Sequence, residues 1–297
     1  MASVSQSPVY ASFRLPNGLT VFGLSLNDTM NVYHDIFDDD CYRKHGVTIG
    51  DGDCILDIGA NTGLFIVFLN HIGVKARVYG FEPAPATFQV LSQNVALHNK
   101  LPVEIFNVGL SREAGKAAFT FYPRFSNAST FHPDESEECA LRGRQYIIDQ
   151  IPTVWWPWRP FLYAIPRPIK HLIAERMRRY YLKKETVTCE LWNLSEFMRK
   201  HKIDKVDLLK LDAEQSEEQI LAGIADEDWP KIRQTVIEVH GGEAATHAMV
   251  DMLEKRGFRI VIDTNPAMPT LALVYGVRPT SSAAPAQVES QAIGAAS

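Results

Sequence analysis

Two groups of residues in this 297-residue chain have the types and spacing to do chemistry. The first is Cys-Ile-Leu-Asp-Ile-Gly-Ala-Asn-Thr-Gly over residues 54–63, an apolar run that meets Asp57 and then a loop holding Gly59 and Gly63. Glycines there let the backbone approach a ligand closely, and free N–H groups at the start of a following helix hold a carboxylate or phosphate. Glu82 closes the next apolar segment, where a carboxylate can take both hydroxyls of a ribose. An adenosine-type ligand follows from that pairing. The loop decides which one. It runs Gly59-Ala60-Asn61-Thr62-Gly63 with no further glycine before Gly73, so the Gly-x-Gly-x-x-Gly pyrophosphate fingerprint is incomplete, and the Gly-Lys-Ser/Thr ending of a nucleotide-triphosphate loop is absent. What remains is a nucleoside with an amino-acid tail and no phosphates, S-adenosylmethionine. Asp57 and the loop residues Gly59, Ala60, Asn61, Thr62 and Gly63 then face the methionine portion, and Glu82 holds the ribose.

The second group lies far along the chain. Asp212 and Glu214 follow Leu-Leu-Lys-Leu at 208–211, while Glu238 and His240 end the apolar segment 234–239 before Gly241-Gly242. A sulfonium methyl donor is already activated, so the protein must supply in-line positioning and, for a hydroxyl acceptor, a base. No metal and no covalent intermediate is required. His240 is the expected base, since imidazole accepts a proton near neutrality and the glycines beside it leave room for substrate. Glu238 orients it or binds substrate. Asp212 contacts the cofactor amino group or the acceptor, or else caps the helix before Glu217. Lys210, two residues before Asp212 on a strand, shares its face and neutralises it. Glu214 and Glu217 also suit the dipole of a first helical turn.

These blocks resemble the FkbM-type class I methyltransferases. The resemblance rests on Ile-Leu-Asp-Ile-Gly-Ala-Asn-Thr-Gly (55–63), Gly-Phe-Glu-Pro (80–83), Asn-Val-Gly-Leu-Ser (107–111) and Leu-Leu-Lys-Leu-Asp-Ala-Glu (208–214), and spans about residues 28–277. Family members usually continue the last block with Gly-Ala-Glu. Here Gln215 and Ser216 stand in place of Gly and Ala, and Glu217 matches the acid. The resemblance implies a doubly wound, Rossmann-like α/β sheet of seven strands, adenine beside Asn107, a cap with Tyr33, Asp35, Phe37 and Tyr42 closing over the acceptor, and O-methylation of a polyketide, peptide or sugar hydroxyl. The rivals are N-methylation, a nicotinamide-dependent oxidoreductase disfavoured by the missing third glycine, and a non-catalytic module that binds membrane or carrier protein.

The elements that must position these residues alternate in the doubly wound manner. Strands are expected at 54–58, 77–81, 103–108, 186–191, 206–211 and 234–239, with helices at 64–71, 84–98, 195–201, 217–221 and 244–256. Residues 258–263 and 270–277 read as a closing hairpin joined by a turn with Pro266 and Pro269. Pro16-Asn17-Gly18 marks an N-terminal hairpin, which with 28–47 forms a cap. The expected organisation is a hairpin and cap over 1–50, a methyltransferase domain over 51–277 with an insertion at about 122–185, and a disordered Ala/Ser/Pro/Gln tail over 278–297. The insertion holds Trp155, Trp156, Trp158, Phe161, Leu162 and Tyr163, then Lys170, Arg176, Arg178, Arg179, Lys183 and Lys184. Aromatic residues followed by a basic helix suit a membrane surface, a lipid-like substrate or an acidic carrier protein, with contact through 155–184.

Composition narrows the field further. A net charge of −5 argues against nucleic acid as the main partner, because phosphate binding needs a basic surface. Cys41, Cys54, Cys139 and Cys189 show no Cys-x-x-Cys spacing and read as free thiols in a reducing cytoplasm. The N-terminus lacks a basic segment followed by an apolar one, so no signal peptide is indicated.

Overall fold

The structure, a computed structural model, describes residues 10–98, 100–133, 141, 166–264 and 270–279. The tryptophans and neighbouring aromatics at 155–163, Cys139, the turn at 265–269 and the tail from 280 lie outside them. A seven-stranded sheet forms the centre. Its strands are β3 (Cys54–Ile58), β4 (Arg77–Phe81), β5 (Val103–Phe106), β9 (Leu208–Leu211), β10 (Gln234–His240), β11 (Arg259–Thr264) and β12 (Leu271–Val277), in the order β11-β12-β10-β9-β3-β4-β5. Neighbours from β10 through β5 run parallel, and β12 is antiparallel to both its neighbours. The helices that connect the strands are α2 (Leu64–Ile72), α3 (Pro85–Leu97), α5 (Leu194–Lys200), α6 (Glu217–Leu221) and α7 (Gly242–Lys255). Of the remaining helices, α1 (Leu26–Tyr33) belongs to the cap and α4 (Arg167–Tyr181) follows the insertion.

Period-two alternation explains how one sheet is both buried and charged. Leu56, Ile58, Leu209, Leu211, Ile237 and Val239 share one face and pack with Leu194, Phe197 and Met198. Ile55, Leu208 and Val236 share the other, under α2 and the cap. Both faces are covered, as in parallel sheets generally. Continuing the second alternation toward the strand ends puts Asp57, Lys210, Glu238 and His240 on the cap face, with Asp57 level with Lys210 in the register. The chain thus delivers its charged residues to one side of the carboxyl ends, where doubly wound sheets bind ligands.

Two departures from the sequence expectation shape the site. Residues 186–191 form a strand, β8 (Glu185–Trp192), outside the central sheet: it pairs with β7 (Gly115–Phe121) and β6 (Gly109–Leu110) in a side sheet. The segment 115–121, β7, lies outside the expected elements and is ordered by its antiparallel pairing with β8. The strand expected over 103–108 ends at Phe106, since Asn107 turns the chain toward β6. The N-terminal hairpin, β1 (Ala11–Arg14) with β2 (Thr20–Gly23), forms as expected. It is locked to the core through Asn94 of α3, whose amide donates to Phe22 O at 2.9 Å and to Thr62 O at 2.7 Å while its oxygen accepts from Phe22 N at 2.7 Å.

Candidate functional site

A cavity of about 460 Å³ opens at the carboxyl ends of β3, β4, β9 and β10, within the ~300–1,000 Å³ range typical of small-molecule sites. The loop Gly59–Thr62, Glu82, Lys210, Asp212, Glu214 and Glu238 line its floor, while Asp35 and Tyr42 close it from the cap and Phe119 and Phe131 from the side sheet. The cap therefore splits its aromatic and acidic residues by role. Tyr33 and Phe37 stack at 4.9 Å, and Phe37 lies edge-on to Phe68 of α2, so both anchor the cap rather than face the cavity. Tyr42, packed edge-on against Phe65, and Asp35 are the two of the four that reach the cavity.

The glycine loop owes its composition to the protein's own packing. Gly59 has φ +74°, and a Cβ there would run into the carbonyl of Asp212. Gly63, the residue before α2, has φ +84°, and its Cβ would lie 2.6 Å from Leu91 Cδ1. These glycines also let β9's exit strap and α3 close on the loop, and that closure shapes the floor. Asn61 is itself left-handed at φ +49°, and its N–H donates to Glu82 Oε2 at 3.0 Å. Ala84 N donates to Glu82 Oε1 at 2.9 Å. Each carboxylate oxygen takes one backbone N–H and keeps a lone pair for a hydroxyl. Burial outweighs these hydrogen bonds and pushes the Glu82 carboxyl up to about 7.

Asp57 does not face the cavity. It is fully buried, with Oδ1 3.0 Å from Lys210 Nζ, and Lys210 also donates to Gly59 O at 2.8 Å. This corrects two expectations: Asp57 acts beneath the loop, and the charge Lys210 neutralises is first of all that of Asp57. The reason is register, since the two residues are paired across β3 and β9.

The second group does assemble. His240 Nδ1 lies 3.0 Å from Glu217 Oε1, and its Nε2 lies 3.3 Å from Glu214 Oε2 and 3.9 Å from Glu238 Oε1. Glu217 Oε1 also accepts from Ala213 N and Gln215 N, so it ties the β9–α6 turn to the histidine. That turn holds Glu214 at φ +45° and Gln215 at φ +74°; a glycine at 215, usual in the family, would adopt the latter without strain. Burial pulls His240 toward neutrality, but the hydrogen bond to Glu217 and the charges of Glu214, Glu217 and Asp212 win, and its pKa is raised to about 10. Burial pushes Glu214 to about 8, with His240 opposing and Asp212 and Glu217 reinforcing. Glu238 also rises to about 8, through burial and the charge of Asp212. His240 therefore already carries a proton at neutral pH and lies outside the cavity lining, contrary to the expectation of a neutral imidazole facing substrate. Glu214 and Glu238 are the groups beside it that titrate near neutrality. The ligand atoms of Asp212, Glu238 and His240 also lie within 4.8 Å of one another, a spacing that a divalent cation can bridge.

Asn107 stands beside the cavity but not in its lining, and its amide donates to the carbonyls of Glu82 and Pro83 at 2.9 and 3.2 Å. Its side chain fixes the turn, and Val108 and Gly109 provide the wall. Ser216 went unremarked as a site residue: it is 4% exposed, lines the cavity, and its Oγ has no hydrogen-bond partner among the described residues. Its substitution for the family's alanine was the available signal. Phe119 and Phe131 carried none, because only the side sheet brings them to the cavity. The described cysteines Cys41, Cys54 and Cys189 are free thiols, as expected.

One reversed strand beside the edge of an otherwise parallel seven-stranded sheet, with a buried carboxylate closing the second parallel strand over a glycine loop, defines a class I S-adenosylmethionine-dependent methyltransferase. When bound, that cofactor supplies a methyl group on a sulfonium. The chain belongs to the FkbM methyltransferase family, whose methyltransferase FkbM domain matches residues 57–260. It is 34% identical over 88% of its length to 31-O-demethyl-FK506 methyltransferase FkbM of Streptomyces tacrolimicus, covering 93% of that protein. It is 28% identical to methyltransferase sdnD of Sordaria araneosa, over 82% of this chain and 88% of that one. A 32% identical match covers 84% of this chain but 11% of the AMB antimetabolite synthetase AmbE of Pseudomonas aeruginosa.

Proposed function

We propose that this enzyme transfers the methyl group to a hydroxyl of a natural-product-like small molecule by direct displacement. The observation that carries the reading is the set of cavity-lining carboxylates, Asp212, Glu214 and Glu238, held around a protonated His240. An alcohol is a poor nucleophile until a base takes its proton, and a useful base titrates near the working pH. Glu238, raised to about 8 and lining the cavity, is assigned that role. His240, held by Glu217, stabilises the ionised carboxylate and fixes its position. Glu82 holds the ribose, the Gly59–Gly63 loop backbone holds the methionine portion, and Asp212 faces the cofactor amino group. The relative named for 31-O-demethyl-FK506 favours oxygen over nitrogen and a polyketide-like acceptor. The match inside the much longer AMB antimetabolite synthetase AmbE makes a carrier-tethered acceptor a second form of the same substrate class.

The test is turnover with isotope-labelled methyl donor against hydroxylated polyketide, peptide and sugar acceptors, free and carrier-bound, with the label located by mass spectrometry. Label on oxygen, and a kcat/KM that rises with pH through about 8, is the expected result. Label on nitrogen sinks the hydroxyl assignment. A profile that rises only near 10 returns the base to His240.

A further inference from the structure

The helix α4 has its faces reversed relative to a helix of a water-soluble domain. Such a helix turns its apolar stripe inward and its charges out. Here Ile169, Leu172, Ile173, Met177, Tyr180 and Tyr181 all stand exposed, Leu172 by 70%. The side chains turned inward, buried or partly so, are Lys170, Ala174, Glu175, Arg178 and Leu182. Ile169, Ile173, Met177 and Tyr180 follow one another at spacings of four, four and three, so they form a continuous ridge along the outer face. Among the described residues, only Leu26, Leu97 and Leu141 are comparably exposed elsewhere.

Charge says what the ridge meets. Residues 167–184 carry seven basic side chains against one acid, Glu175, in a chain whose net charge is −5. Glu175 is engaged by Arg178 and Arg179, yet the Arg179 side chain stays 76% exposed, and Arg167, Arg176 and Lys183 are exposed as well. An exposed apolar ridge edged by Arg and Lys, with tyrosines at one end, is the make-up of a helix that lies in the plane of an anionic lipid surface. At 15 residues α4 is too short to span a bilayer, and no helix among the described residues is long and apolar enough to do so. The helix is also tied to the wall of the cavity. Arg124, five residues before Ser129, donates to Tyr180 O at 3.1 Å and covers the Tyr180 ring at 4.0 Å, and Ser126 and Ser129 line the cavity.

We propose that the outer face of α4 docks the enzyme on an anionic membrane surface, with Leu172, Ile173 and Met177 inserted below the headgroups and Arg176 and Arg179 among the phosphates. The cavity is then held beside the bilayer, where an acceptor dissolved in lipid would be at hand.

Flotation of the full chain with vesicles tests this. Phosphatidylcholine vesicles containing phosphatidylglycerol should bind it at least tenfold more tightly than phosphatidylcholine alone, and added salt should weaken the binding. Leu172→Asp with Ile173→Asp should abolish it. Arg176→Glu and Arg179→Glu should each cost roughly fivefold or more, from about 1 kcal/mol per basic residue at an anionic surface. S-adenosylhomocysteine affinity, unchanged in these variants, verifies folding. Equal partitioning to both vesicle types overturns the proposal. So does wild-type binding that survives in the double Asp variant, self-association in solution that the variant abolishes, or capture of an acidic carrier domain without vesicle binding.

Discussion

Replacing Lys210 with methionine isolates the buried charge beneath the cofactor loop. Lys210 Nζ sits 3.0 Å from Asp57 Oδ1 with the two side chains 4% and 0% exposed, and Asp57 Oδ2 has no hydrogen-bond partner among the described residues. Methionine matches the length of the lysine stem, so the change removes charge with little change in volume. Stripping one member from a buried pair costs about 3–5 kcal/mol, because the other charge is left without compensation. Losing the Lys210 donor to Gly59 O adds about 1 kcal/mol and unpins the loop. At about 2–4 °C per kcal/mol for a chain of this class, the melting temperature should fall by roughly 15 °C at pH 8. The sign with pH follows from Asp57. Burial raises its folded-state pKa, so without Lys210 it folds most easily protonated, and the deficit grows as pH rises above its unfolded value. Asp57→Asn is expected to cost less, because Lys210 keeps the attraction of Asp212 and Glu238. The Asp57→Asn, Lys210→Met double variant should recover part of the single loss, since no buried charge remains. Calorimetric melts of the four proteins at pH 6 and 8 decide the matter. A Lys210→Met deficit below about 1 kcal/mol, or a double variant as unstable as the sum of the singles, would refute the account.

Three further outcomes are expected. Glu82→Gln should weaken S-adenosylhomocysteine binding about 10- to 100-fold by titration calorimetry, the worth of charge-assisted hydrogen bonds to a diol, and should lower the melting temperature of the free protein, because a glutamine oxygen can accept from only one of Asn61 N and Ala84 N while its NH2 faces the other. Gly59→Ala should destabilise by about 2–3 kcal/mol in denaturant melts and abolish cofactor binding, since a Cβ meets the Asp212 carbonyl and φ is +74°. The free enzyme should lose stability steadily from pH 5 to pH 9. Glu82, Glu214 and Glu238 have folded-state pKa values above the ordinary 4.5, so stability present at low pH is lost as pH rises through 7 to 8; His240, raised from 6.5 to about 10, adds stability below 6.5 that is lost toward 10. A melting temperature that climbs from pH 5 to pH 8 would contradict those directions.

The sheet and the cofactor were legible in the chain because their signals are local. Residues 54–63 set an apolar strand, an acid and two left-handed glycines within ten positions, and the incomplete phosphate fingerprint is a property of the same stretch. Period-two alternation likewise announced that Lys210 and Glu238 share the faces of their strands with chemistry-bearing neighbours. Roles that depend on what lies across a strand gap could not be read that way. Asp57 and Lys210 are 153 positions apart in sequence and become partners only through the register of β3 and β9. His240 looked like an ordinary base because nothing adjacent to it in sequence shows that Glu214 and Glu217 will clamp both of its nitrogens. Sequence fixes which groups are present and their local backbone; the proton each one holds depends on burial and on charges brought within about 4 Å, which only the tertiary fold decides.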